Sequence, residues 1–346
     1  MKHIFFKLLL LCLATSALFS CSSDDDTVPQ TAKTYDMSGF AKGADVSWLT
    51  QMEASGDKFY DKNGRETECM SLLRDMGVNA IRLRVWVNPT DGWCNKQDVL
   101  VKAIRAKNLG LRLMIDFHYS DTWADPGSQT TPAAWKDYDL DELKQAVADH
   151  TKDVLQTLKD HGIDSVEWVQ VGNETRTGML WPVGQVSDGN TKNFSQLVTA
   201  GYDAVKSVYP DAKVIVHIDG GNILSYYTWL FDGLKNDGAK WDVIGMSLYP
   251  DDTNWQQAVT DCLANMTTLN KRYGSKIMVC ETGTSWDATY AKDFMTQLVT
   301  GARALDCCLG VFYWEPECYN GWNGYTKGTF DNSGRPTSAL DVFGTK

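Results

Sequence analysis

The sequence predicts α/β architecture: one (β/α)8 barrel in a single domain. Three observations point there. Eight short apolar runs rich in β-formers recur at intervals of roughly thirty to fifty residues, near 40–45, 79–87, 112–118, 166–172, 213–218, 243–249, 276–281 and 310–315. The stretches between them carry helical periodicity. Each run also closes on polar or aromatic residues, where an idle strand end would more often carry Gly, Ser or Asn. Strands that alternate with helices pair in parallel, and eight such units close into a barrel. The competing doubly wound sheet needs a glycine-rich phosphate loop after an early strand, and the chain has no GxGxxG or Walker sequence. With 346 residues, 43% of them hydrophobic, the chain can bury one large core.

Taken in order, residues 1–20 read as an export signal. Lys2 and Lys7 precede an apolar core over 4–13 that is too short to span a membrane. Leu18-Phe19-Ser20-Cys21 resembles a bacterial lipobox. It implies cleavage before Cys21 and acylation of that Cys, an anchor and not a span; ordinary secretion is the alternative. The acidic run Ser22-Ser23-Asp24-Asp25-Asp26 resembles the surface-export signal of Bacteroidetes lipoproteins and equally suits a solvated linker. Residues 21–37 are polar and read as a flexible tether. The expected location is the outer membrane, lipid-anchored and facing the cell surface. The barrel then occupies 38–346. Its helices are expected over 67–76 (stopped by Gly77), 97–107 (before Gly110), 141–159 (before Gly162), 194–208 (before Pro210), 225–234, 255–273 and 293–304.

The stretch SVEWVQVGNETRTGMLW, residues 165–181, carries the chemistry. It opens as an apolar strand and stops at Gly172-Asn173-Glu174. A carboxylate closing a buried strand loses hydration unless something pairs or uses it. One such Glu reads most simply as a strand end pointing to water. A second strand, KIMVCETG, ends the same way at Glu281. Strands four and seven lie on opposite sides of a barrel mouth, so the two carboxylates can face each other across a cleft, as a glycosidase requires. Glu281 is assigned as the ionised nucleophile, with Arg84 expected to fork onto it. Glu174 is assigned as general acid and then general base, its pKa raised by the neighbouring charge. Asn173 can bond a sugar 2-hydroxyl, Tyr249 can donate to the nucleophile, and Trp314 can floor a subsite. Asp45, Trp86, His118, His217 and Asp219 close other strands at the same end and, with Arg84, are expected to bind the substrate. Each has an ordinary alternative: Arg84 with Asp116 as a structural ion pair, His118 as a core histidine, Trp314 as core.

Composition agrees. The net charge of −11 disfavours nucleic acid and anionic membrane surfaces, so any membrane contact runs through the lipid anchor only, and a neutral substrate fits better. The 13 Trp, 14 Tyr and 12 Phe suit sugar faces as well as a core. Seven Cys follow Cys21, an odd number without zinc spacing. Cys280, Cys307 and Cys308 read as buried small hydrophobes, and Cys94 and Cys318 lie in loops where they could pair.

Residues 43–47 (GADVS), 81–89 (IRLRVWVNP), 116–126 (DFHYSDTWADP), 172–174 (GNE) and 313–316 (YWEP) resemble glycoside hydrolase family 53, the arabinogalactan endo-β-1,4-galactanases, over about residues 38–343. The resemblance implies a retaining mechanism on type I galactan, with Glu174 as acid/base and Glu281 as nucleophile. It also implies that Asp45, Trp86, His118, Asn173, Tyr249 and Trp314 line the subsites. Some bacterial members carry a long eighth loop that helps bind calcium. Here 316–336 is short; Asp331 and Asn332 could ligate a hard cation but lack EF-type spacing, so no metal or cofactor is required. A monomer is expected. A mannanase or glucanase of the same clan, or a glycan-binding lipoprotein on a degenerate barrel, are the alternatives; loss of either Glu would favour the last, and both are present.

Overall fold

A computed structural model describes residues 34–345. The leader, Cys21 and the tether up to residue 33 lie outside the described residues. The compact unit starts at Tyr35, inside the stretch read as tether. Tyr35 donates to Asp75 (2.5 Å) and lies 4.1 Å from the Arg74 guanidinium carbon, so an aromatic ring ties this end to the barrel.

Eight parallel strands close into a barrel in chain order. They are β1 (Ala41–Asp45), β2 (Ala80–Val85), β3 (Arg112–Phe117), β4 (Trp168–Val171), β5 (Lys213–Ile218), β6 (Val243–Leu248), β7 (Lys276–Thr282) and β8 (Cys308–Trp314). Around them run α1 (Leu49–Ala54), α2 (Cys69–Asp75), α3 (Lys96–Asn108), α4 (Leu140–Asp160), α5 (Lys192–Val208), α6 (Leu224–Asn236), α7 (Trp255–Tyr273) and α8 (Ala291–Arg303). Local chemistry sets the ends. Asp139 and Glu142 form a reciprocal capping box that starts α4, and Gly274 in the left-handed region stops α7. The short helix α1 has no counterpart in the sequence reading, because six residues with two buried positions make no period.

The core has two parts. Most apolar side chains fill the shell between strands and helices. The barrel interior is a smaller plug of Ala41, Ala80, Met114, Trp168, Ile215, Val243, Met278, Cys280 and Phe312. Phe312 fits only because Gly43 faces it across β1 and β8: a Cβ there would lie 2.1 Å from Phe312 Cδ1. All seven cysteines of the barrel are free and buried. Cys94 and Cys318 do not meet; the first sits 3.4 Å from Arg84 Nη2 and the second 3.8 Å from Met52 Sδ. Above the apolar plug the interior turns polar, and there the strands end.

Candidate active site

The polar layer is built around Arg82, which is wholly buried. Nη1 lies 2.6 Å from Asp45 Oδ2 on β1. Nη2 lies 2.9 Å from Asp116 Oδ2 on β3 and 2.8 Å from Glu281 Oε1 on β7. Nε donates to Gln170 Oε1 on β4 (2.7 Å), and Nη2 also reaches Asn173 Oδ1 (2.9 Å). One guanidinium therefore serves three carboxylates in a region of low dielectric, and the surplus negative charge bears on Glu281.

The guanidinium on Glu281 thus belongs to Arg82 and not, as expected, to Arg84. Both point inward, but Arg84 stands one layer higher, where it pairs with Glu315 Oε1 (3.1 Å) and lies 4.3 Å from the Trp123 ring centroid. Period two sets the face of a strand but not the depth of a residue in a tilted barrel. The suggested Arg84–Asp116 pair is corrected for the same reason: Asp116 pairs with Arg82.

Glu174 has a different setting. The backbone after Gly172 (φ +87°) carries it at φ +45°, ψ +47°, a left-handed conformation that costs a non-glycine residue roughly 1–2 kcal/mol. Buried Gln129 holds that turn by donating to the Asn173 carbonyl (2.8 Å). Ser247 Oγ donates to Glu174 Oε1 (2.6 Å), and His217 Nε2 lies 2.8 Å from Ser247 Oγ. Among the described residues, no arginine or lysine forms an ion pair with Glu174. Burial, then the charge of Glu281, push its carboxyl up to about 8. Burial also raises Glu281, to about 7, while Arg82 and the Tyr249 hydroxyl (3.1 Å from Oε2) pull it back down. Of the two, Glu281 is the group that ionises first.

Both glutamates line a cleft of about 430 Å³ together with His118, Trp123, Asn173, Tyr249, Trp314 and Lys327. A second concavity of about 550 Å³ shares Trp123, Trp314 and Tyr325 with it and adds Trp48 and Trp86. The aromatic wall is continuous: Trp314 lies 4.7 Å from Tyr325, 5.2 Å from Trp48 and 5.9 Å from Trp123 between centroids. Trp86 Nε1 donates to His118 Nδ1 (3.2 Å), so His118 Nε2 carries the proton and donates to Asp116 Oδ2 (2.9 Å). Burial lowers the pKa of His118, consistent with this neutral ring.

Of the expected site residues, the cleft brings together Glu174, Glu281, His118, Asn173, Tyr249 and Trp314, with Trp86 in the adjoining hollow. Asp45, Arg84 and His217 have no exposed surface. They orient other side chains and do not face the cleft, a correction to the reading that put them on the substrate. Asp219 is engaged at two points by Arg176 (2.8 and 3.2 Å) and is not among the cleft-lining residues. Asp331 Oδ1 accepts from Ser333 and from the Arg335 amide, closing its own turn. Ser247, Trp123, Tyr325 and Lys327 are additions. Ser247 shares strand parity with Tyr249 and Trp123 sits in the HYSDTWADP stretch, so both had a signal; Lys327 and Tyr325 come from a loop without one.

A closed parallel barrel with two unlike carboxylates at the ends of strands four and seven, set in an aromatic cleft, defines a barrel-fold glycoside hydrolase. The sequence profile of glycosyl hydrolase family 53 matches residues 41–298. A probable arabinogalactan endo-beta-1,4-galactanase A of Neosartorya fischeri is 34% identical over 304 residues, 80% of this chain and 83% of its own length. The arabinogalactan endo-beta-1,4-galactanase of Humicola insolens is 32% identical over 331 residues, 87% of this chain and 98% of its own. A solved structure from a study of two fungal beta-1,4-galactanases superimposes with a TM-score of 0.82 at 31% identity, covering 88% of this chain and 99% of that one. The chain belongs to glycosyl hydrolase family 53.

Proposed function

We propose that this protein is a retaining endo-β-1,4-galactanase that cuts internal bonds of type I galactan. The observation that carries the mechanism is the unlike setting of the two carboxyls. Glu281 has a guanidinium and a phenol to stabilise its charge; Glu174 has one neutral hydroxyl and burial. Glu281 ionised attacks the anomeric carbon while Glu174 protonates the leaving oxygen. Once Glu281 is glycosylated its charge is gone, Glu174 loses the repulsion that kept it protonated, and it takes a proton from the attacking water. Asn173 is fixed by Arg82 and by its Nδ2 bond to the Ala124 carbonyl (2.9 Å), which leaves its second amide hydrogen for the sugar. This chemistry calls for no metal or cofactor.

Two contiguous hollows sharing one aromatic wall accommodate several sugar units, which supports internal cutting. The galactan substrate rests on the activity named for the fungal relatives. We further propose that the leader is removed, that Cys21 is acylated, and that the enzyme works as a monomer tethered to the outer membrane with its cleft facing outward.

The test is digestion of linear β-1,4-galactan by the chain lacking residues 1–21, with products sized over time. Galacto-oligosaccharides from internal cuts are expected. Hydrolysis of mannan or glucan with galactan untouched would move the substrate; binding without any hydrolysis would move the protein to the glycan-binding class.

A further inference from the structure

Directly after Trp314, three potential ligands converge behind the aromatic wall. A Glu315 oxygen, a Glu317 oxygen and the Cys318 sulfur all lie within 4.8 Å of one another. None is reachable by solvent: exposure is 0%, 0% and 2%. Glu315 is provided for. Its Oε1 meets Arg84 Nη1 (3.1 Å), and its Oε2 accepts from the Trp48 amide (3.1 Å). Glu317 is not: neither of its oxygens meets a donor, and the group its side chain faces is another carboxyl, that of Glu315. A carboxyl so placed costs several kcal/mol unless something on its open side binds it.

We propose that Glu317, Cys318 and Glu315 bind a divalent cation of the zinc class. The donor set selects it. A thiolate beside carboxylates suits a borderline ion and not magnesium or calcium, and calcium takes six to eight oxygens where only two carboxylates are present. Ligands about 2.0–2.3 Å from a tetrahedral ion lie within about 4 Å of one another, a small contraction from the 4.8 Å bound seen here. Charge also closes: two carboxylates and a thiolate against Arg84 and a divalent ion sum to zero. The thioether of Met52, 3.8 Å from Cys318 Sγ, gives the sulfur side a soft neighbour.

The ion is structural. Its ligands at i, i+2 and i+3 lock the turn that follows β8, where Glu315 sits at φ +46°. Through Glu315 it holds Arg84 against Trp48, Trp86 and Trp123, at 5.4, 5.0 and 4.3 Å from their centroids. No step of glycoside cleavage passes through it.

The chain is expressed in zinc-supplemented medium and its metal content read by inductively coupled plasma mass spectrometry. About one zinc per chain is expected, falling about tenfold or more in Cys318→Ser and in Glu317→Gln. The parent is also unfolded in guanidinium with a chelator and refolded with cobalt chloride. A thiolate-to-cobalt absorption band in the near ultraviolet is expected, absent from Cys318→Ser. If Glu317→Gln does not fold, the parent's own content and its cobalt band decide. A parent that carries under about a tenth of an equivalent and takes up neither zinc nor cobalt overturns the proposal. Glu317 would then be a protonated acid sharing its proton with Glu315.

Discussion

Tyr249→Phe isolates one hydrogen bond in the reaction. The ring and its packing stay; the hydroxyl 3.1 Å from Glu281 Oε2 goes. That bond favours the ionised nucleophile, so its loss raises the pKa of Glu281. A hydrogen bond to a charged group contributes about 1.5–3 kcal/mol, and a pKa unit is about 1.4 kcal/mol. Glu281 lines an open cleft, so water replaces part of what is lost and the lower end applies: a shift of about one unit. The assay is kcat/KM on a galacto-oligosaccharide across pH, which reports the free enzyme. Activity needs Glu281 ionised and Glu174 protonated, so the profile is a bell. The acid limb follows the first proton lost from the pair, mainly from Glu281, and the alkaline limb the second. Tyr249→Phe moves the acid limb up by about one unit, lowering activity about tenfold at a pH well below it, and leaves the alkaline limb in place to a first approximation. If the alkaline limb moves and the acid limb stays, the roles of the two glutamates are exchanged. A uniform drop with no change in shape would mean that Tyr249 does not act on the ionisation of Glu281.

Ser247→Ala makes the complementary change: the Ser247 hydroxyl lowers the pKa of Glu174, so its removal moves the alkaline limb up, read from the same profile. Glu174→Gln lowers kcat about 10²- to 10⁴-fold while calorimetry still records oligosaccharide binding. The same variant separates stability from activity. A carboxyl whose folded pKa is raised contributes stability that is intact below its unfolded value, near 4.3, and is eroded as pH rises toward about 8. Thermal melts should therefore show Glu174→Gln gaining on the parent as pH rises through that window. Gly43→Ala drives a methyl into Phe312 and destabilises the barrel by about 1–3 kcal/mol in urea unfolding, with Phe312→Leu recovering part of the loss. Trp123→Ala, which removes a partly exposed ring from the cleft, raises KM for long oligosaccharides several-fold with little change in kcat.

Much of this was legible from the chain, and the parts that were not share a cause. The strand-closing glutamates could be read because an ionisable group at the end of an apolar run is a local signal. Arg82 could not be told from Arg84 because both have inward parity; which of them meets Glu281 depends on stagger between strands. The same ambiguity of depth misplaced Asp45 and His217, which lie beneath the cleft floor. Helix α7 matched residue for residue because nineteen residues repeat the apolar period several times, whereas α1 repeats it hardly once. Tyr325 and Lys327 reach the cleft from a loop whose course is set by tertiary contacts, such as the Tyr313 hydroxyl on the Lys327 carbonyl (2.8 Å).

The Arg82 hub divides the chain unevenly. The guanidinium, Asp45, Asp116 and Gln170 come from the first four strands and Asn173 from the turn after the fourth, while Glu281 arrives from the seventh. An N-terminal half-barrel would hold a buried cation with one of its carboxylates missing. A C-terminal half would hold an inward glutamate with no cation to meet it. The contact that readies the nucleophile is thus the contact that joins the halves, and hydrolysis reports whether the two ends of the sheet have found each other. Fragments split between β4 and β5 would regain turnover only as they reassemble, which turns a polysaccharide assay into a measure of barrel closure.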